Sequence, residues 1–145
     1  MASDPSLAIQ AAAYAVATGG PFQAACGLTT GVYDEVPADA AYPYLTLEDI
    51  QVVPDLAVGF NGSEVVLTVH VWSRKAGSVE VKRIADAVRD FLAPVPGSAA
   101  PFALESRGHR LISWLAGGSR VLRDLNDPLA KHIPVRITYA TQPTA

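Results

Sequence analysis

Cysteine is nearly absent from this sequence: Cys26 is the one cysteine among 145 residues. A single thiol cannot form an internal disulfide, and no Cys/His cluster has zinc-site spacing, so the chain is expected to mature in a reducing compartment. Small apolar residues surround Cys26, and no base lies nearby. This environment predicts a buried structural thiol and not an activated nucleophile.

Long hydrophobic runs are also missing. The most apolar stretch, residues 7–16, is interrupted by Gln10 and has about half of the roughly 20 residues that a membrane helix needs. The first basic residue of the chain is Arg74, so the positive N-terminal region of a secretory signal is lacking. The sequence therefore predicts neither export nor a membrane partner.

Positive charge is absent from the first half of the chain. Residues 1–73 contain eight acids and no Lys or Arg, whereas residues 74–145 contain eleven bases and six acids. The halves thus carry −8 and +5, which sum to the net charge of −3. Such asymmetry favours a basic face for an anionic partner or a charge dipole that packs copies head to tail, unless the halves interleave and the charges mix. The sequence pI near 5.5 is far from that of a dedicated nucleic-acid binder.

Catalytic motifs are lacking as well. His70, Ser73 and Asp86 fall within a short stretch, but side chains three positions apart on a strand point to opposite faces of a sheet. Asp86 belongs to the polar side of the following helix, and no serine lies in a G-x-S-x-G elbow. A Ser-His-Asp hydrolase is excluded on these grounds, and the sequence predicts no enzyme.

Metal and cofactor sites are not predicted either. His109 and His132 are isolated in sequence, and each adjoins a base, Arg110 or Lys131, which disfavours binding a cation. The glycine pairs of the C-terminal half lack the lysine and the strand-to-helix context of a phosphate loop. We expect these glycines to form turns.

What the sequence does contain is a succession of helical and strand patterns. A helix is predicted over 4–17, with a cap at Ser3-Asp4-Pro5, and a second over Val81 to Leu92, with Ser78 as a possible cap. Between Val65 and Val71 the odd positions form an apolar face, and the even positions, with His70 and Trp72, form the other. The other predicted elements are a helical turn over 22–26 and strands over 31–33, 42–50, 111–116, 120–125 and 132–140.

The connections follow from turn residues. The segment containing Pro54 and Gly59 is predicted to be loose, and Asn61-Gly62 is predicted to be a tight reversal between antiparallel strands. The last three strands are predicted to form a meander. Together the patterns predict one α+β domain over residues 1–145, a mostly antiparallel sheet with two main helices packed on one face.

Three segments of the chain are similar to the tail terminator, or tail completion, proteins of long-tailed bacteriophages and of gene transfer agents. The first is Val32-Tyr33-Asp34-Glu35-Val36-Pro37. The second is Tyr42-Pro43-Tyr44-Leu45-Thr46-Leu47, and the third is His70-Val71-Trp72-Ser73-Arg74, with Gly77 and the helix that follows. These are structural residues at matching spacings, extending over about residues 30 to 92, and they include no catalytic signature.

The resemblance implies a small α+β subunit that assembles as a ring, usually a hexamer, on the head-proximal end of a tail tube. Such a ring stops tube polymerisation and joins the tube to the head connector, and DNA passes through its lumen without specific binding. It implies partners in the tube protein and the connector or stopper protein, assembly in the bacterial cytoplasm, and a place at the head-tail junction. It supplies no catalytic, cofactor-binding or metal-binding residue. We expect the contact surface to include Tyr42, Tyr44, His70, Trp72 and Arg74.

Two alternatives remain open from the sequence. One is another neck or tail component with a related subunit, such as a connector stopper or a tube protein. The other is a small cytosolic ligand-binding domain or enzyme with a pocket around His70 and Trp72. An exposed Trp72 would mark a contact surface, and a Trp72 buried under a loop would not.

Overall fold

The computed structural model describes residues 4–27, 29–55, 61–95 and 97–144. The helices are α1 (Ser6–Ala17), α2 (Gly20–Cys26) and α3 (Val79–Leu92), and a short 3-10 helix spans Glu105–Arg107. The strands are β1 (Gly31–Tyr33), β2 (Tyr44–Asp55), β3 (Gly62–Ser73), β4 (His109–Ala116), β5 (Leu122–Arg123) and β6 (Lys131–Pro143). The predicted α+β class is confirmed.

The six strands form one open sheet in the order β1-β2-β3-β6-β4, with β5 also paired to β6. Every pair is antiparallel except β1 with β2, which is parallel. This order keeps the two halves of the chain apart: the strands from residues 1–73 occupy one side of the sheet, and the later strands occupy the other. The two halves therefore do not interleave in the sheet.

The hydrophobic core lies between one face of the sheet and the three helices. On β3 from Val65 to Ser73 the odd positions are buried and the even positions are only half-buried, as the alternation predicts. The same alternation runs along β6 from Ile133 to Tyr139. Buried side chains of α1, α2 and α3 join these strands in one cluster. We call this the helix face of the sheet, and the opposite side the helix-free face.

Tyr139 shows how the core satisfies a buried polar group. It is among the largest fully buried side chains, and its hydroxyl donates a hydrogen bond of 2.6 Å to the carbonyl oxygen of Leu92 at the end of α3. The backbone groups at a helix C-terminus lack intrahelical partners, so this bond satisfies one of them. It also fixes α3 against β6.

The capping predictions are confirmed only in part. Pro5 is the N-cap of α1, and the Asp4 carboxylate accepts the backbone N–H of Ser6 at 2.7 Å; Ser3 lies outside the described residues. Ser78 is the N-cap of α3, but its side chain makes no capping bond.

The prediction for the β2–β3 connection was wrong. β2 continues through Pro54 to Asp55, which pairs with Gly62, the first residue of β3. Asn61-Gly62 is therefore not a two-residue reversal, and Gly59 lies outside the described residues. Pro54 is tolerated within the strand because its missing N–H can face the open edge of the sheet.

The meander prediction was also wrong. β4 and β5 both pair with the same edge of β6, β5 near Lys131 and β4 from Ile137 onward. Among the described residues, β4 and β5 do not pair with each other. β5 has only two residues, Leu122 and Arg123, where a strand over 120–125 was expected. Among the described residues, no helix is long and apolar enough to cross a membrane.

Candidate functional site

The helix-free face carries an aromatic cluster where β2, β3 and β6 lie side by side. Tyr44 is the register partner of Trp72, and Trp72 is the partner of His132. Because direct partners on neighbouring strands share a face, their rings lie in one row. The members of the cluster are Tyr33, Tyr42, Tyr44, His70, Trp72 and His132.

Four rings of the cluster are stacked in a row, and they are Tyr44, Trp72, His132 and His70. Trp72 and His132 lie 4.1 Å apart between centroids with an interplanar angle of 3°, and Tyr44 stacks on the other side of Trp72 at 6.5 Å. Tyr42 and Tyr33 contact Tyr44 at 5.0 and 5.9 Å. Trp72 is thus neither buried under a loop nor fully exposed; it is half-buried between its neighbours on the sheet surface.

Two imidazoles and a carboxylate continue this row. The Nδ1 atom of His70 lies 2.6 Å from Nε2 of His132, and Nε2 of His70 lies 2.9 Å from Oδ2 of Asp49. The contact with Asp49 requires a proton on Nε2 of His70, so in the neutral ring Nδ1 accepts the N–H of His132. No hydroxyl or thiol is bonded to either imidazole in the described part of the chain, so this is not the base of a nucleophile.

Burial shifts the pKa of two members of the cluster. Burial of His132, with a smaller contribution from the nearby His70, lowers its pKa from 6.5 to about 4, so His132 is neutral at pH 7. Burial, followed by the hydrogen bond with Tyr42, raises the pKa of Tyr44 to about 12. At neutral pH His132 and Tyr44 are therefore uncharged, which suits a surface that another molecule covers.

Arg74 places a positive charge at the rim of the cluster. Its guanidinium lies 5.7 Å from the centroid of the Tyr42 ring, and its Nε atom lies 2.9 Å from Oδ2 of Asp127. Arginine combined with tyrosine and tryptophan is the composition that protein interfaces favour. The cluster therefore has the composition of a binding surface for protein.

The structure brings together all five residues that the sequence analysis assigned to a contact surface. Tyr42, Tyr44, His70, Trp72 and Arg74 lie along the helix-free face at one end of the sheet. Whether they bind a partner stays a prediction.

The sequence reasoning missed other members of this surface. It treated His132 as isolated, and this was wrong, because β6 pairs with β3 and brings His132 onto Trp72. Asp49 and Tyr33 were also missed. The even positions of β6 carried a usable signal, since they alternate with the apolar Ile133, Val135 and Ile137.

The geometric argument against a catalytic triad is confirmed. Ser73 is buried on the helix face, where its hydroxyl donates to Oε1 of Glu80 at 2.7 Å. His70 lies on the helix-free face, and Asp86 pairs with Arg89 on the exposed side of α3. The three side chains of the apparent triad do not meet.

Neither a metal-binding cluster nor an exposed thiol is found among the described residues. Within them no group of three or more His, Cys, Asp or Glu could hold a metal ion. Cys26 is buried, and burial raises the pKa of its thiol, which agrees with a structural role. Two cavities of about 450 and 410 Å³ lie on the helix side of the sheet, the first lined by Tyr14 and Leu47 and the second by Val79 and Arg83. His70 and Trp72 line neither of them.

Charge is separated across the sheet. The acids that follow β1 and those of β2 and β3 lie on one side, and they are Asp34, Glu35, Asp39, Glu48, Asp49, Asp55 and Glu64. On or beside β4, β5 and β6 the exposed charges are mainly arginines, namely Arg110, Arg120, Arg123 and Arg136. Arg107, before β4, lies instead at the cavity that Asp34 also lines. Since the halves of the chain do not interleave in the sheet, the sequence asymmetry becomes a spatial one.

The fold and this face describe a small α+β subunit whose surface features are those of a structural protein that binds other proteins. A family model described as tail completion protein gp17 matches residues 8–141, so the chain belongs to this family. It is accordingly a structural protein of a phage-type tail.

A solved structure gives an independent comparison of the fold. The chain is similar to one in a structure described as the virion of a native gene transfer agent particle, with a TM-score of 0.76 and 24% sequence identity. The likeness covers 97% of this chain and 99% of the other, so the whole fold is shared. Comparison with curated proteins gives no match.

Proposed function

We propose that the protein forms a closed ring, a hexamer, that caps the head-proximal end of a tail tube. The ring stops tube polymerisation and joins the tube to the head connector or stopper protein. It acts within a virion or phage-like particle at the head-tail junction, after assembly in the bacterial cytoplasm. Membership of the tail completion family supports this proposal, as does the likeness to a chain of a gene transfer agent particle.

The observation that most supports a ring is the charge separation between the two sides of the sheet. A cyclic ring uses heterologous interfaces, in which one flank of each subunit meets the opposite flank of the next. Here one flank presents acids such as Asp34 and Asp55, and the opposite flank presents arginines such as Arg110 and Arg123. Opposite charges on opposite flanks favour closure and disfavour the symmetric pairing of like flanks.

The aromatic cluster supplies the surface for a second protein, the tube or the connector. Its His132 and Tyr44 rings are uncharged at neutral pH and partly shielded from water, and Arg74 lies at its rim. Burial of such aromatic and arginine side chains contributes most of the binding energy in many interfaces. A ring seated through this surface blocks the next tube ring by occupancy.

The mechanism is then steric, with no bond made or broken. DNA passes through the lumen, where weak affinity is an advantage because every phosphate contact adds salt-dependent retention. The absence of an assembled nucleophile, base and acid among the described residues agrees with a role of this kind.

Electron microscopy of the purified protein and of particles produced without it tests the proposal. We expect rings from the purified protein and overlong tails in particles that lack it. Tails of normal length, together with a monomeric protein that converts a small molecule, would contradict the proposal. Copy number and position separate the alternatives, since a connector stopper lies on the head side of the tube end and a tube protein repeats along the tail.

The electrostatic part of the proposal has its own test. Salt weakens the attraction between exposed charges that lie further apart than the Debye length, which is about 8 Å at 0.15 M. We expect rings to dissociate more readily as salt rises, measured by native mass spectrometry or sedimentation. Rings equally stable at low and high salt would show that the flanks do not attract through charge.

A further inference from the structure

Two open strand edges lie at opposite ends of the sheet. β4 ends the strand order on one side. On the other side β1 covers only Tyr44 to Thr46 of β2, so the rest of β2 from Leu47 to Asp55 has no neighbour there among the described residues. An open edge presents unpaired N–H and C=O groups that can add a strand from another chain.

The β4 edge is apolar, and its peptide orientation can be worked out. Thr144 N–H bonds to Gly108 C=O, and Gly117 N–H bonds to Arg136 C=O. By the alternation of an antiparallel ladder, Leu111, Trp114 and Ala116 then turn their peptide groups away from β6. No backbone bond satisfies these outward groups within the described chain.

The side chains of this edge also lack protection. From Leu111 to Ala116 no residue is charged. Leu115 is 69% exposed and Ile112 is 46% exposed. Natural edge strands usually carry charges or proline that prevent pairing with another chain. An uncharged edge of this length therefore indicates that something covers it.

The β2 edge has the matching orientation. Pro54 has no N–H to give to β3, so its peptide nitrogen faces the open edge, and Val52 and Ile50 face the same way by alternation. Val53 on this segment is 44% exposed. On the helix face beside this strand, the exposed Leu7 and Tyr14 of α1 line a cavity with Leu47.

The register of the sheet places the two edges at the same height. Ala116 pairs with Ile137, which pairs with Leu67, and Leu67 pairs with Ile50. Ala116 and Ile50 therefore lie at the same height on the two edges of the sheet. Trp114 is level with Val52 in the same way, through Tyr139 and Val65, and Leu111 is level with Pro54. The outward-facing residues of one edge thus match those of the other, on the same faces of the sheet.

Strand direction matches too. Each step from β2 to β3, β6 and β4 reverses direction, so β4 runs opposite to β2. In a ring with cyclic symmetry every subunit has the same orientation, and β4 of one copy therefore meets β2 of the next in antiparallel fashion. At the other end of the sheet β5, with Arg123, is level with β1, which Asp34 follows. Because β5 lies on the same edge of β6 as β4, and β1 already lies on the edge of β2 that β4 would join, β5 of one copy must lie beside β1 of the next. The two sheets must therefore diverge by one strand spacing, about 4.8 Å, at this end.

We propose that β4 of one copy adds to the open β2 edge of the next copy, so that the sheet continues from subunit to subunit around the ring. This inference rests on the proposed ring and names its interface. The occupant is a second copy because one chain carries both edges, matched in height, direction and outward peptide groups and opposite in flanking charge. The pairs Trp114 with Val52 and Ala116 with Ile50 exchange backbone hydrogen bonds across the interface.

Disulfide trapping tests this pairing. Leu115 is level with Gln51 through Thr138 and Val66, and both side chains lie on the helix-free face. Across the proposed interface they form a non-hydrogen-bonded pair with Cα atoms about 4.5 Å apart. Within one copy they are separated by three inter-strand spacings, about 14 Å, too far for a disulfide to form. Cys26 is buried and does not compete.

Two single variants, Leu115→Cys and Gln51→Cys, are mixed and oxidised. We expect a covalent dimer that contains one copy of each, and a ladder of larger species from the doubly substituted chain. In the matched control, Glu64→Cys takes the place of Gln51→Cys. Glu64 is exposed on the same face of the sheet but lies on β3, one strand further from the proposed interface. The Gln51 pair should give about tenfold more dimer than the control, because thiols on Cα atoms more than about 7 Å apart do not bridge.

The outcomes separate this inference from the proposed function. Rings seen by electron microscopy without cross-linking of the Leu115 and Gln51 variants, or with equal cross-linking of the control, would overturn the edge pairing and leave the ring intact. A chain that forms no oligomer at all would contradict the proposed function and this inference with it. As a second measurement, Leu115→Lys should raise the concentration needed for half-assembly, while Val79→Lys, at an exposed position on α3, should leave it unchanged.

Discussion

The two faces of the sheet are built from alternate residues of the same strands, yet they differ in chemistry. On β3, Val65, Leu67, Val69 and Val71 are fully buried against the helices. Their neighbours Val66, Thr68, His70 and Trp72 are half-buried on the helix-free face. One face is filled by apolar packing, and the other by stacked rings and polar contacts at the surface.

We expect this difference to separate stability from binding. The helix face has a complete set of partners within the chain, so changes there alter folding. The helix-free face has the aromatic cluster, and no helix of the described residues covers it, so changes there should alter assembly more than folding. The following predictions test how far the two faces can be separated, beginning with the largest expected effect.

Leu67→Ala is expected to have the largest effect on stability. Leu67 is fully buried on the helix face, and its truncation leaves a cavity that should lower the free energy of unfolding by about 2–5 kcal/mol. The adjacent Thr68→Ala, on the helix-free face, should change it by about 0.5 kcal/mol or less. Chemical denaturation of both variants measures the contrast. Equal losses of unfolding free energy in the two variants would show that both faces contribute equally to folding.

Tyr139→Phe should have a smaller effect. It removes the hydroxyl that donates to the Leu92 carbonyl, while the ring stays in place. We expect a loss of about 1 kcal/mol in the free energy of unfolding, typical of one buried hydrogen bond. The control is Tyr14→Phe, since Tyr14 is 49% exposed on α1. No difference between the two variants would mean that the bond to Leu92 does not stabilise the fold.

Sequence alone predicted the helix face well, because burial imposes a strict period. The alternation in β3 and the stripe of α3 from Val81 to Leu92 each led to the correct element and the correct inward side. The five expected contact residues were also found on one surface. Of these, His70 and Trp72 could be placed on the helix-free face from β3 alone, because alternation every two residues defines the two faces of a strand.

Sequence did not predict what depends on pairing between distant strands. The neighbours of Trp72 are set by β6 pairing with β3, and this is why His132 was judged isolated. The length of β2 was missed because Pro54 usually ends a strand, and an open edge removes that restriction. The meander was inferred from order along the chain, whereas β4 and β5 share one edge of β6.

The half-buried imidazole of His132 makes stability depend on pH. Its pKa is about 4 in the folded chain against 6.5 ordinarily, so between these values the unfolded chain binds more protons. This contribution to stability is therefore fully present above about pH 6.5 and is lost as the pH falls toward 4. His132→Gln should flatten the dependence between pH 7 and pH 5, measured by urea denaturation. If the unfolding free energy of the variant changes with pH as steeply as before, groups other than His132 cause the pH dependence.

The smallest expected effect is that of the ion pair at the rim of the aromatic cluster. Arg74 and Asp127 are 45% and 29% exposed, so water and salt weaken their attraction. A double-mutant cycle of Arg74→Gln and Asp127→Asn should give a coupling of about 1 kcal/mol or less, decreasing further at high salt. The preceding residue gives the matched case on the helix face, because Ser73 is buried and bonded to Glu80. Ser73→Ala should therefore destabilise the fold more than Arg74→Gln, and the reverse order would show that the rim of the helix-free face contributes to folding as well as to contact.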